Sequence, residues 1–283
     1  MTTSDKSSGH SPDLRDFSGT LVLLGAGKMG SALLEGWLRL GLDPKTVAIL
    51  EPQPAPQISA LRSRGLQINP GINSLTNVDA IVVAVKPQTA TAALPPLASM
   101  VGAATVVVSI MAGRTIQSIG SALNRPCALV RAMPNTPAAI GRGITVAVAR
   151  GANDSQRDLA HRLLSAAGAV EWIEDEALMD AVTAVSGSGP AYVFLLAEAL
   201  AQAGVAAGLP PALAAKLARE TVAGSGELLH RETAEASVLR QNVTSPGGTT
   251  AAALEVLMGK DGLTALMTTA VAAATRRSRE LAG

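Results

Sequence analysis

Two hydrophobic rhythms divide this chain. Up to residue 175 short apolar runs alternate with helical stretches; beyond it the strand signal stops and long Ala/Leu-rich helical patterns take over. Residues 20–24 form an apolar run, as a buried strand does. Leu33, Leu34, Trp37, Leu38 and Leu40 then recur at helical spacing until Gly41 closes the pattern. Residues 47–50 predict a second strand. Pro52, Pro54 and Pro56 mark a loop before a helix over 58–64, and residues 66–68 a short third strand. The unbroken run 80–85 suits a parallel strand covered on both faces. A helix over 90–100, a strand over 105–110, a loop with Gly113 and strands over 128–131 and 144–149 follow. A helix over 154–167 and a last strand over 169–173 end this half. Such βαβ alternation predicts an α/β, doubly wound sheet.

The second half predicts helices over 176–185, 192–207, 211–229, 249–258 and 263–281, an all-α region. Ser186-Gly187-Ser188-Gly189-Pro190-Ala191-Tyr192 opens the long second helix. Its glycines permit a tight turn, Ser188 or Gly189 can cap, and Pro190 fits the first helical position, where no amide donor is missed. From Tyr192 to Ala207 there is no proline and one glycine, Gly204, so this helix is expected to be buried on most sides. The Ala-rich helices lack bulk to close a core alone, which predicts packing against a second copy. The expected domains are therefore a tail over 1–18, an α/β domain over 19–175 and a helical domain over 176–283.

Composition narrows the function classes. Of 283 residues 48% are hydrophobic but only 2% aromatic, so the core must be built from Ala, Val and Leu. A formal net charge of +1 gives no basic excess for nucleic acid and no acidic solvating tail. Cys127 is the single cysteine, which excludes an internal disulfide and fits a reducing compartment. His10, His161 and His230 have no metal-ligand spacing. Residues 1–18 lack the apolar stretch of a secretory signal and read as a disordered tail, and no uninterrupted apolar run reaches membrane-span length. A cytoplasmic protein is expected.

Candidate chemistry gathers at strand ends. Gly25-Ala26-Gly27-Lys28-Met29-Gly30 follows the first strand and opens a helix, as a Rossmann-like dinucleotide fingerprint must. Gly25 permits the turn, Gly27 lets backbone approach a pyrophosphate and Gly30 lets helix and strand pack closely. Glu51 ends the second strand, where a carboxylate bonds NAD ribose hydroxyls and repels a 2′-phosphate; otherwise it is a solvated strand end. Ala84-Val85-Lys86-Pro87 ends the 80–85 strand, making Lys86 a candidate cofactor contact. Met133-Pro134-Asn135-Thr136-Pro137 is a stiff loop at another strand end, either ligand-facing or a rigid connector. Val243-Thr244-Ser245-Pro246-Gly247-Gly248-Thr249-Thr250 offers hydroxyls and unhindered amides at a helix N-terminus, a ready site for a carboxylate; by itself it is as well read as a Thr-capped helix.

These five motifs, in this order, resemble the pyrroline-5-carboxylate reductase family over the whole chain past the tail. The resemblance implies reduction of 1-pyrroline-5-carboxylate to proline by NADPH or NADH, the last step of proline biosynthesis. It implies cofactor contacts at Gly25, Ala26, Gly27, Lys28, Met29, Gly30, Glu51, Asn73, Ala84, Lys86, Pro87 and Asn135. Ser245, Gly247, Gly248 and Thr249 would hold the substrate carboxylate, with Ser188 and Tyr192 beside the ring. It further implies a homodimer formed by the helical domain, which in some relatives builds a larger ring of dimers. Two departures stand out. Relatives that prefer NADPH carry small polar or basic residues where this chain has Glu51, so NADH is expected to be usable. Some relatives place a Thr three residues after the Tyr of the Ser-Gly motif, where this chain has Leu195, and no side chain is assigned as proton donor.

A protonated cyclic imine accepts hydride readily, so positioning and charge stabilisation suffice. No histidine lies in any motif, as a 2-hydroxy-acid dehydrogenase would need. The runner-up is a β-hydroxyacid dehydrogenase-like enzyme or imine reductase with a catalytic lysine on a second-domain helix. Lys216 is the lysine available between Ser186 and Thr250, without a companion Asn motif. A third reading is a non-catalytic nicotinamide-binding protein.

Overall fold

The computed structural model describes residues 13–282. It divides into two compact units, one running up to Gly187 and including the chain from Ser278 onward, the other Ser188–Arg277.

The first unit is a sheet of eight strands in the order β3-β2-β1-β4-β5-β6-β7-β8. These are β1 (Thr20–Leu24), β2 (Val47–Leu50), β3 (Gln67–Ile68), β4 (Val78–Val83), β5 (Val106–Ser109), β6 (Ala128–Met133), β7 (Gly143–Arg150) and β8 (Gly168–Trp172). All neighbours pair parallel except β6 and β7. That exception has a cause. The link from Met133 to Gly143 holds only a 3-10 turn, Thr136–Ile140, too short for a crossover, so β7 returns antiparallel. The helices are α1 (Lys28–Arg39), α2 (Pro56–Ala60), α3 (Ala90–Ala93), α4 (Ile116–Leu123) and α5 (Asp154–Ser165).

Two apolar cores cover the two faces of this sheet. One gathers Leu21, Leu23, Val47, Ile49, Val106 and Val108 with Leu33, Leu34 and Trp37 of α1 and Leu163 of α5. The other gathers Val22, Ile81, Val83 and Val107 with Leu94, Leu97, Ile119 and Leu123. Alternate residues of each strand thus face opposite cores, as the pleat dictates. Trp37 is fully buried, and its Nε1 donates to the Leu163 carbonyl at 2.8 Å, satisfying its one donor.

Several expectations need correction. The tail does not extend to residue 18: Leu14 is fully buried, its N–H donates to the Leu40 carbonyl, and Arg162 holds Asp16 and the Asp13 carbonyl. Residues 1–12, with His10, lie outside the described residues. The helix over 90–100 is α3 followed by a 3-10 segment, Pro95–Met100, because Pro95 and Pro96 supply no N–H to continue it. Helix α4, unforeseen, is started by Thr115, whose side chain accepts from the Ser118 N–H.

The packing boundary also falls later than residue 175. Glu176 accepts from Arg131 at 2.9 Å and from the Ile116 N–H at 2.8 Å, tying the start of the helical sequence to the sheet. Helix α6 (Met179–Val182) continues into a π-helical turn, Thr183–Gly187, and then α7 (Gly189–Ala206). Hence the Ser-Gly run is no tight turn. Ser188 has helical angles and makes no cap bond. Pro190 cannot donate to the carbonyl four residues back, and the widened turn absorbs the fault. The Thr183 and Ser186 hydroxyls donate to the carbonyls of Met179 and Val182.

The second unit comprises α7, α8 (Pro211–Arg231), α9 (Ala236–Asn242), α10 (Thr249–Leu257) and most of α11 (Leu263–Ala282). Helices α7 and α8 form a hairpin closed by Gly208 at φ +98, with Leu209 and Gly208 N–H groups returning to Gly204 and Val205. Gly204 faces Ala214 closely enough that even a methyl would crowd it. The expectation that residues 192–207 are buried on most sides is not met within one chain. Phe194 is 64% exposed and Leu195 62%. Apolar side chains spread around most of the helix, Glu198 and Gln202 apart, and much of that surface is left uncovered by the subunit.

Candidate active site

The first turn after β1 is shaped by what its glycines leave out. Gly25 sits at φ +89, and a Cβ there would lie 2.9 Å from the Ala84 carbonyl oxygen. A Cβ on Gly30 would run into the Gly25 carbonyl and lie 3.3 Å from Ala84 Cβ. Gly25 and Gly30 are therefore required by the fold, and Ala84 is the small wall behind them. Gly27 differs: a Cβ there would meet nothing within 4 Å. Nothing among the described residues of the subunit fills the space that a side chain there would take. It is also the N-cap of α1, with extended backbone and no side-chain cap, so first-turn amides face outward. An open cradle beside an uncapped N-terminus fits a pyrophosphate.

Glu51 joins the loop directly: its Oε2 accepts the Ala26 N–H at 2.9 Å and its Oε1 the Gln53 N–H at 3.0 Å. Lys86 and Pro87 follow β4; Lys86 is exposed, and the Pro87 carbonyl accepts from Arg114 at 2.8 Å. Lys28 is exposed on the first turn of α1, whereas Met29 packs partly against the core. Asn135 spends its Oδ1 on the Ile144 N–H at 3.0 Å, bracing the loop between β6 and β7. Asn73 is exposed on the 3-10 turn Ile72–Ser74. Sequence reasoning passed over Asn69, whose side-chain amide bonds both backbone groups of Glu51, and Arg114; the left-handed Asn69, φ +51, is invisible in a hydrophobicity pattern.

In the helical unit, Ser188 and Tyr192 flank the start of α7, and Ser245, Gly247, Gly248 and Thr249 lead into α10. Gly247 has φ +68 with open space around it. Gly248 is the N-cap without a side-chain cap, and its own N–H returns to the Ser245 carbonyl at 3.0 Å. The donors left for an anion are therefore the first-turn amides from Thr249 on, with the Ser245 and Thr249 hydroxyls. Among the described residues no three His, Cys, Asp or Glu side chains gather as metal ligands would.

A doubly wound sheet with an open glycine-led helix terminus, joined to a helical region with uncovered apolar faces, is the plan of a nicotinamide-dependent oxidoreductase that assembles with itself. Residues 176–281 match the family described as pyrroline-5-carboxylate reductase dimerisation, and residues 20–113 the one described as NADP oxidoreductase, coenzyme F420-dependent. The pyrroline-5-carboxylate reductase of Synechocystis is 41% identical over 266 residues, 92% of this chain and 97% of its own. The chain belongs to the pyrroline-5-carboxylate reductase family. The enzyme of that name from Pseudomonas aeruginosa is 36% identical over 264 residues, 93% of this chain and 96% of its own. The solved reductase of Coxiella burnetii is similar with a TM-score of 0.87 at 31% identity, covering 94% of this chain and 99% of its own. That of Plasmodium falciparum, with NADP bound, gives 0.77 at 29%, covering 94% and 99%. The protein is an NAD(P)H-dependent oxidoreductase, and its helical region serves homo-oligomer formation.

Proposed function

We propose that this chain reduces 1-pyrroline-5-carboxylate to L-proline. The observation that carries the reading is the match to the Synechocystis reductase along 92% of this chain, which takes in every candidate loop. The nicotinamide cofactor supplies the hydride. Gly25, Gly27 and the first turn of α1 hold its pyrophosphate, and Glu51 its adenosine ribose, with Lys86, Pro87, Asn73 and Asn135 as further contacts. At α10 the open first-turn amides and the Ser245 and Thr249 hydroxyls anchor the substrate carboxylate, while Gly247 and Gly248 keep side chains out of its way. Ser188 and Tyr192 line the ring. No acid is required of the chain, because the imine is already protonated when it accepts hydride.

On this reading the sheet unit, up to Gly187 and including buried Leu14, is the cofactor domain, and the helical unit, Ser188–Arg277, the substrate and dimerisation domain. The uncovered faces of α7, α8 and α11 form a homodimer, which can build a larger ring. Among the described residues one helical stretch, Glu176–Ala206, is long and apolar enough to cross a membrane, by length and composition. We assign it to the subunit interface, because it lies within the residues that match the dimerisation family, and take the enzyme as cytoplasmic, with no nucleic-acid or membrane partner.

Steady-state rates with pyrroline-5-carboxylate, run once with NADH and once with NADPH, test the activity; no turnover with either ends the proposal. Thr249→Val and Gly248→Val should each raise the KM for the imine about tenfold or more, leaving cofactor affinity in place. An unchanged KM would remove the loop from the site.

A further inference from the structure

The end of β2 is held in an unusual way. Strand β2 stops at Leu50 and β3 at Ile68. The next residue on β3, Asn69, turns left-handed at φ +51, a conformation asparagine tolerates better than most side chains. Its own N–H donates to the Ile49 carbonyl at 2.7 Å. Its side chain then does what a further pair of strand residues would have done. Asn69 Oδ1 accepts the Glu51 N–H at 2.8 Å, and Asn69 Nδ2 donates to the Glu51 carbonyl at 2.8 Å. Both backbone groups of Glu51 are thereby fixed by one side chain.

The Glu51 carboxylate is fixed as well, on the Ala26 N–H of the glycine-rich loop and on the Gln53 N–H. Two amides use two of its roughly four lone-pair positions, leaving acceptor capacity for hydroxyls. Arg62 donates to the Ile68 carbonyl at 3.4 Å, and among the described residues no ion pair joins a cation to Glu51. We propose that Asn69 is a positioning residue for cofactor choice: it holds Glu51 so that the carboxylate stays at the glycine-rich loop, accepting ribose hydroxyls and opposing a 2′-phosphate. The proposal rests on the reading of this loop as the dinucleotide site. It goes beyond that reading by naming which residue makes the discrimination rigid. A freely swinging glutamate could turn away from a phosphate; one held at the backbone and at both oxygens cannot do so without breaking bonds.

The test is binding, without turnover. Calorimetric Kd values are measured for ADP-ribose and for its 2′-phosphate on the full-length protein at fixed ionic strength. The native protein should favour ADP-ribose by about tenfold or more, the scale of one uncompensated like-charge contact at a surface site. Glu51→Gln keeps the shape, removes the charge and should abolish most of that ratio. Asn69→Gly keeps the left-handed backbone, removes the brace and should cut the ratio about threefold or more; Asn69→Ser serves the same end if the glycine variant does not fold. A purely structural Asn69 would lower the melting temperature and leave the ratio alone, and that result overturns the proposal. So does a native protein that binds the 2′-phosphate more tightly. If ADP-ribose itself fails to bind, the dinucleotide reading of the loop is what has failed, and this proposal falls with it.

Discussion

The two units of this chain solve the same problem differently. The sheet unit buries large side chains on both faces of eight strands: Trp37, Leu21, Leu23, Ile81 and Leu97 are all shut away from water by residues of the same subunit. The helical unit leaves Phe194, Leu195, Leu196, Leu228 and Val256 exposed, and along α8 buries little beyond Ala214 and Ala218. Full burial of such a side chain is worth about 1.5–3 kcal/mol, and these, half or more exposed, forgo much of it. One unit is finished by its own sequence, while the other leaves apolar faces uncovered within the subunit, in the region that serves homo-oligomer formation.

The largest test of that contrast is a charge on the uncovered face. Phe194→Asp should abolish assembly and activity together, read by light scattering and by turnover; a variant that still assembles would break the comparison. Next comes the finished unit. Trp37→Ala should cost about 3–5 kcal/mol, by the lost packing and the stranded Leu163 carbonyl, visible in urea unfolding. Folded Trp37→Ala protein should still assemble, and loss of assembly would mean the two units are not separate in this respect. A smaller effect distinguishes two glycines of one loop. Gly30→Ala should cost about 1–3 kcal/mol by overpacking, whereas Gly27→Ala, which loses only the N-cap preference for glycine, should cost less than about 1 kcal/mol and weaken NADH binding about tenfold. Equal effects on stability would contradict the open space at Gly27. The smallest concerns Cys127, in the sheet unit, whose thiol burial pushes above its usual range. Alkylation of the native protein should be slow at neutral pH and rise only under alkaline conditions, as expected when the thiolate is the reactive form. Rapid labelling at pH 7 would show that the sheet opens at the start of β6.

The sequence was most readable where function depends on local chemistry. Gly25, Gly27 and Gly30 announce themselves because a turn, an open approach and a close packing each exclude other residues within six positions. The parallel strands were readable because burial on both faces leaves unbroken apolar runs such as residues 80–85. Features set by distant partners were not. Asn69 matters because a left-handed turn swings it onto a neighbouring strand, and a single asparagine beside Pro70 carries no periodicity. The antiparallel return of β7 follows from the length of the link before it, not from β7 itself. In α4, Gln117, Ser118, Gly120 and Ser121 dilute the apolar spacing of Ile116, Ile119 and Leu123. For α7 the pattern correctly said hydrophobic on most sides, but a sequence cannot say whose surface does the covering.

The placement of the aromatic residues has a practical consequence. Both tryptophans, Trp37 and Trp172, belong to the sheet unit, the first fully buried and the second with the Arg157 guanidinium 4.6 Å from its ring. The helical unit holds the one tyrosine, Tyr192, and no tryptophan. Intrinsic fluorescence excited at the red edge therefore watches only half of the molecule, and a cooperative optical melt of this protein would be silent about subunit dissociation unless that event also loosened the sheet.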